Sequence, residues 1–334
     1  MKLIITNLPS FYKIKLFNEI NKKVKLKVFY TGHSPEQRNK DFFDEVAEFD
    51  SDFLFRKSKL SAIIRLIKII FTTRYDELMI GGWDEAYFWV AAFLSPKKKN
   101  SMVVESSYLE SKTTGAKGFI KKIILKRISK VYASGSSQEK LVRDLGYSKN
   151  VIITKGVGIF NYHAQPQFVA RNEVKNFLFV GRLSPEKNLE YLIGKFNNHP
   201  ELHLDIIGFG PEEDKLKSIA GANTRFFGAV NNKDLAAYYQ QSDVFILPSK
   251  SETWGLVVEE AFNNGIPVMV SNHVGCADEI VNKSNGVIFS LEADDFEVML
   301  NYITNIDNYN SMRKSISLMD FDAIEKYQVS CYLK

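Results

Sequence analysis

The reading turns on LPSKSETWGLVVEEAFNNGIPVMVS, Leu247–Ser271. An apolar run ends near Pro248, and a polar loop holding Glu252 follows. A helical pattern opens around Gly255 and stops at Asn264–Gly265, where glycine suits a left-handed helix end. A second apolar run, IPVMVS, comes next. Strand, loop, helix and strand in so short a span make the repeating unit of a parallel sheet. At the start of the helix the amides of Trp254, Gly255 and Leu256 point outward. Unsatisfied donors and partial positive charge there suit a diphosphate. Glu252 lies in the loop and Glu260 lies eight residues on, on the helix. A carboxylate on the helix can accept both hydroxyls of a ribose, and one in the loop can grip sugar hydroxyls. The same letters also fit an acidic helix start that favours the dipole, with Glu259–Glu260 as a solvated pair.

Outward from this stretch the alternation continues in both directions. NFLFVG (176–181), ELHLDIIG (201–208), TRFFGAV (224–230), DVFILPS (243–249) and NGVIFS (285–290) read as strands. Upstream, KLIIT (2–6), KVFYT (27–31), ELMIGG (77–82), SMVVE (101–105), KVYAS (130–134) and NVIIT (150–154) do the same. Helical segments lie between them, among them SFYKIKLFNEINKK (10–23), Lys57–Phe71, DEAYFWVAAFL (84–94) and SQEKLVRDLG (137–146). Regularity lapses over 155–175. The expected organisation is two Rossmann-like doubly wound α/β domains facing a central cleft, 1–167 and 168–334. Such sheets bind ligands beyond the C-terminal ends of their strands. The length of 334 residues suits two domains, and 45 % hydrophobic with 25 % charged residues is a globular composition.

Two cysteines, Cys276 and Cys331, exclude a disulfide scaffold and fit a reducing cytoplasm. The longest apolar run, Tyr87–Leu94, is too short to span a bilayer. MKLIITNLPSFY is broken by Asn7 and Pro9 and reads as a buried strand, not a leader. His199 and His203 are four apart with Pro200 between them, which argues against a shared helix face for zinc.

Charge divides the chain. Residues 1–165 hold 29 Lys and Arg against 16 Asp and Glu, a net of +13; residues 166–334 hold 15 against 23, a net of −8. The basic half is expected to face something anionic: nucleic acid, anionic lipid or a phosphorylated substrate. In Ala116–Tyr132, Phe119, Ile120, Ile123, Ile124 and Ile128 recur at helical spacing among lysines. Lys57–Phe71 has a similar character. Such helices can lie on an anionic membrane surface. They also fit ordinary core-packing helices with a solvated lysine face.

Two more motifs stand at strand ends. In GRLSPEKN, Gly181–Asn188, Arg182 and Lys187 are cations at a strand-to-helix turn suited to phosphate. They equally fit a surface cluster with Glu186 and Glu190. In IIGFGPEE, Ile206–Glu213, Gly208 and Gly210 form a partial glycine turn, which alone establishes no dinucleotide site.

Taken in order, G-R-L-x-x-x-K-N, G-x-G-P, F-G-x-V, S-D-V-F-I-L-P-S, E-T-W-G-L-V-V-E-E-A and G-x-P-V resemble retaining glycosyltransferase family 4, enzymes of the GT-B fold. The match is dense from Asn176 to Ser290. The resemblance implies that Glu252 contacts the donor sugar and Glu260 the ribose. It implies that Arg182 and Lys187 grip the diphosphate, with Gly208, Trp254, Gly255 and Leu256 around it, and that Val230 contacts the nucleobase. It implies no metal and no cofactor, the nucleotide sugar being a substrate. Glu105 stands where many relatives carry a histidine near the reaction centre, so it is a candidate there with its partner left open. Thr6–Tyr12 replaces the glycine-rich loop of many relatives. A terminal helix in this fold often returns to the first domain, and DFDAIEKYQ is a short candidate.

The expected activity is retaining transfer of a sugar from a nucleotide diphosphate, UDP by preference. The acceptor is a hydroxyl of a lipid-linked or surface-polysaccharide glycan, a polyprenyl-diphosphate sugar above all. That places the chain in the cytoplasm, on the inner face of the cell membrane, with no nucleic-acid partner. The alternatives are a nucleotide-sugar epimerase of the same fold and a non-enzymatic basic protein on membrane or nucleic acid.

Overall fold

The computed structural model describes residues 1–32, 40–55, 58–160 and 163–334. They form two units: Met1–Ile159 with Ala323–Lys334, and Phe160–Asp322.

In the first unit, strands β1 (Lys2–Thr6), β2 (Leu26–Tyr30), β3 (Asp50–Phe53), β4 (Glu77–Ile80), β5 (Asn100–Val104), β6 (Lys130–Ala133) and β7 (Asn150–Ile153) make one sheet. Their order is β3-β2-β1-β4-β5-β6-β7, and every pairing is parallel. Helices α1 (Phe11–Asn21), α2 (Lys59–Thr72), α3 (Ala86–Leu94), α4 (Gly115–Leu125) and α5 (Ser136–Asp144) connect them. A parallel sheet is covered on both faces, so its strands are apolar throughout. Alternation along β1 divides the core. Leu3 and Ile5 pack with Leu66 of α2, Phe88 of α3, Ile124 of α4 and Leu141 of α5. Ile4 faces the other way, toward Leu16 and Phe17 of α1 and toward Cys331 and Tyr332.

The second unit repeats the plan with β8 (Asn176–Val180), β9 (His203–Ile207), β10 (Thr224–Gly228), β11 (Val244–Leu247), β12 (Val268–Ser271) and β13 (Gly286–Phe289). The order β10-β9-β8-β11-β12-β13 is again all parallel. The helices are α6 (Leu189–Asn197), α7 (Glu213–Ile219), α8 (Leu235–Gln241), α9 (Leu256–Asn263), α10 (Ala277–Ile280), α11 (Phe296–Thr304) and α12 (Ile306–Ser317). Helix α13 (Phe321–Cys331) carries the chain into the first unit, where the Tyr332 ring stacks on Tyr132 with centroids 4.7 Å apart.

Several boundaries differ from the sequence reading. The chain passes to the second unit at 159/160, not 167/168, because the irregular stretch is tied there. The His163 amide donates to Asn263 Oδ1 at 2.6 Å and the Arg171 amide to Asn310 Oδ1 at 2.9 Å. β3 was not expected; its Asp50 and Asp52 pair with Lys27 and Arg65, so it is a polar edge strand. Of the helical segment Lys57–Phe71, α2 begins after Ser58, whose side chain accepts from the Ser61 amide. Lys57 itself lies outside the described residues. Ala116–Tyr132 is not one helix: α4 ends at Leu125, and Ile128 leads into β6. Phe119 and Ile120 are exposed while Ile124 and Ile128 are buried. No described helix is long and apolar enough to cross a membrane.

Candidate functional site

Most of the residues singled out above lie at the C-terminal edge of the second unit's sheet. Two glycine turns shape that edge. The Gly181 amide donates to Ile207 O at 3.0 Å and the Leu183 amide to Phe209 O at 3.0 Å, drawing the ends of β8 and β9 together. A Cβ on Gly208, whose φ is +137°, would stand 1.7 Å from the Gly181 carbonyl oxygen, so only glycine fits there.

After β8 the chain makes a short turn of 3-10 helix, Pro185–Lys187, and Asn188 takes a left-handed conformation before α6. Asn188 Nδ2 donates to Pro248 O at 3.1 Å and anchors this turn to the end of β11. Lys187 is thereby brought to Glu252, and its ammonium contacts Glu252 Oε2. Both side chains are largely buried, 15 % and 16 % exposed. Arg182 is more open and pairs with Glu186 at 2.8 Å. Burial opposes ionisation of Glu186, yet the Ser184 hydroxyl, its own amide and Arg182 hold its carboxyl down at about 2. In this state the two cations proposed for phosphate are neutralised by protein carboxylates.

The Glu252 loop leads into α9 through Gly255, whose φ of +100° is a left-handed turn that favours glycine. A side chain there would press on Val274 Cγ1 at 3.0 Å. The first amides of α9 have no carbonyl of that helix to bond. Glu252 and the start of α9 are therefore adjacent, and Glu260 follows about one turn into that helix. Leu256 is half-buried at the first turn.

The Glu259–Glu260 pair is not solvated: both residues are buried. Tyr239 Oη donates to Glu260 Oε2 at 3.3 Å. Trp254 Nε1 donates to Glu259 Oε2 at 2.9 Å. Burial pushes the Glu259 carboxyl up to about 8, the Trp254 hydrogen bond opposes this, and neighbouring Glu260 adds to it. Trp254 is 1 % exposed as a whole residue, so its indole is closed to a ligand.

Val230 follows β10 and is half-buried. Glu105 lies in the first unit, just after β5. Lys13 Nζ of α1 stands 2.9 Å from its Oε1. That pair lines a small pocket of about 20 Å³ with Thr6, Gly81, Val157 and Tyr332. Burial works against the Lys13 charge, but Glu105 foremost, with Tyr12 and Asp84, holds its ammonium above the ordinary lysine range.

Sequence reasoning missed His273 and Glu292, in the loops after β12 and β13. His273 Nε2 lies 2.6 Å from Glu292 Oε1 and Nδ1 lies 2.8 Å from Lys250 O. Nineteen residues separate them, so no local pattern could have shown the pair.

At this strand edge the second unit brings together a cationic turn and a lysine–carboxylate contact. Residues 163–316 match the family model of glycosyl transferases group 1. The sulfoquinovosyl transferase SQD2 of Arabidopsis thaliana is 34 % identical over 152 residues, 45 % of this chain and 30 % of that protein. Across the first four curated relatives the aligned part spans 30–51 % of their length. Among solved structures, the apo lipopolysaccharide outer core galactosyltransferase WaaB superposes with a TM-score of 0.73 at 18 % identity, covering 100 % of this chain and 99 % of that one. Anabaena Alr3699/HepE in complex with UDP and glucose gives 0.70 at 14 % identity, covering 99 % and 98 %. The fold is GT-B.

Proposed function

We propose that the chain is a retaining glycosyltransferase of family 4 that moves a sugar from a UDP-linked donor to a hydroxyl of a lipid-linked or surface-polysaccharide glycan. The observation that carries this is the Lys187–Glu252 contact beside the N-terminus of α9, with Glu260 on the same helix. UDP is favoured because structural neighbours, HepE among them, were solved with it.

When the donor binds, Lys187 and Arg182 exchange their carboxylate partners for the diphosphate. Glu252 then accepts from sugar hydroxyls and Glu260 from the ribose. Gly208 lets the backbone approach the diphosphate, the amides of Trp254, Gly255 and Leu256 face it, and Val230 meets the base. The bond from the anomeric carbon to the leaving phosphate oxygen breaks, and the bond to the acceptor oxygen forms on the same face. The acceptor proton passes to the departing phosphate. Charge grows on that phosphate, where preorganised cations and amides act most strongly. These groups supply the positive charge without a metal or a cofactor. Glu105, held by Lys13, is assigned to the acceptor in the first unit.

The basic first unit, with Phe119, Ile120, Leu60 and Phe71 exposed among lysines, supports docking on the anionic cytoplasmic face of a membrane. Thermal unfolding with UDP, GDP and dTDP tests the donor reading. A ligand at 100 times its dissociation constant stabilises by about 2.7 kcal/mol. UDP is expected to raise the midpoint in the native chain and not in Glu260→Ala. No shift with any of the three overturns the reading.

A further inference from the structure

Three loops leave the C-terminal ends of β11, β12 and β13, and they are laced together. The Glu252 amide donates to His273 O at 3.2 Å, the Gly275 amide to Glu252 O at 2.9 Å and the Cys276 amide to Trp254 O at 2.9 Å. The His273 ring adds a side-chain tie. Its Nδ1 meets the Lys250 carbonyl and its Nε2 meets Glu292. The other Glu292 oxygen takes Asn272 Nδ2 at 2.8 Å and Ser290 Oγ at 3.1 Å. A backbone carbonyl cannot donate, and neither can an ionised carboxylate. Hydrogen bonds from Asn272, its own amide, His273 and Ser290 hold the Glu292 carboxyl down at about 2, so it is ionised. Each ring nitrogen therefore faces an acceptor.

We infer that His273, held between the Lys250 carbonyl and the Glu292 carboxylate, is the positioning residue that fixes the loop bearing Glu252. This rests on the donor reading above. The ring acts through the strap Lys250–Glu252. Around it stand Lys250 and Glu292 from their loops and Glu190 from α6, which lines the same surface depression and is paired with Lys215. Without the ring both side-chain ties are lost, and the strap slackens.

Hydrogen exchange on the full chain tests the clamp without any ligand. Protection of the 251–256 amides, corrected for intrinsic rates, is expected to fall about tenfold from the native chain to His273→Ala. In His273→Gln, which keeps a donor, it should be intermediate. Protection that survives His273→Ala overturns the inference.

Binding then tests the positioning role at pH 6. UDP alone should bind His273→Ala as it binds the native chain, while the extra affinity of UDP-glucose over UDP should fall about ten- to hundredfold. If the loop loosens and that extra affinity is unchanged, the positioning role is wrong. If neither nucleotide binds the native chain, the donor reading fails, and the exchange result alone judges the clamp.

Discussion

Two buried lysine–glutamate pairs stand at opposite edges of their sheets, and the contrast separates architecture from chemistry. Lys2 Nζ lies 2.7 Å from Glu77 Oε2 where β1 and β4 begin. Tyr132 Oη closes the other Glu77 oxygen at 2.9 Å, and Lys130 stands 3.6 Å away. Burial depresses the Lys2 ammonium and resists ionisation of Glu77, but the bonds from Lys2 and Ser101 leave that carboxyl below its ordinary range. The pair is saturated by its own protein. Lys187–Glu252 stands where strands end, and its second carboxylate oxygen has no hydrogen bond to the described residues. Similar burial and the same two residue types thus give a closed knot at one edge and an unfinished contact at the other. Doubly wound folds place ligands at the second kind of edge.

The sharpest way to break this contrast is to remove one partner from each pair. Glu77→Ala strands a buried ammonium, so denaturant unfolding should show a loss of about 3–5 kcal/mol with sugar transfer per folded molecule unchanged. Lys187→Ala should do the reverse. Turnover should fall about 10²–10³-fold, a barrier rise of about 3–4 kcal/mol, with a smaller change in stability.

A third carboxylate sharpens the comparison because it has no cation. The Glu259 carboxyl, raised to about 8, keeps its proton in the folded chain where the unfolded chain loses it near the ordinary value of 4.5. Its contribution is complete below about pH 4.5 and is lost as pH rises through 8. Wild-type stability should therefore decline by an amount of order 3 kcal/mol between pH 5 and 8 from this group. Glu259→Gln, which still accepts from Trp254, should flatten that slope in urea titrations at several pH values. The smallest effect belongs to the surface: Phe119→Ser should change stability by no more than about 0.5 kcal/mol. Sedimentation with anionic vesicles should nevertheless show weaker binding.

Much of the fold was legible because a doubly covered parallel sheet writes its strands as apolar runs. NFLFV, VFIL and VMVS are such runs, and each became a strand at nearly the expected place. β3 was illegible because DSDF is an edge strand whose acids answer Lys27 and Arg65, and polarity there reads as loop. Helix α11 does carry a signal, Phe296, Leu300 and Ile303 at helical spacing. At the site, the neighbourhood of Lys187, Glu252 and α9 followed from strand-end placement. The burial of Glu259 and Glu260 did not, since it depends on Trp254 and on Tyr239 of α8. Adjacent acids read as surface until the rings that cover them are placed.

The return of residues 323–334 to the first unit has a consequence for how the chain is made. Tyr332 and Cys331 finish the packing over Ile4, Leu16 and Met79. Those partners emerge from the ribosome long before Tyr332 does, with the whole second unit synthesised in between. At about 5–20 residues per second the gap is on the order of ten seconds or more. For that time one greasy side of the nascent sheet waits for its cover, a natural station for a chaperone. The first unit is thus begun early and completed late, and its maturation is timed by the translation of its neighbour.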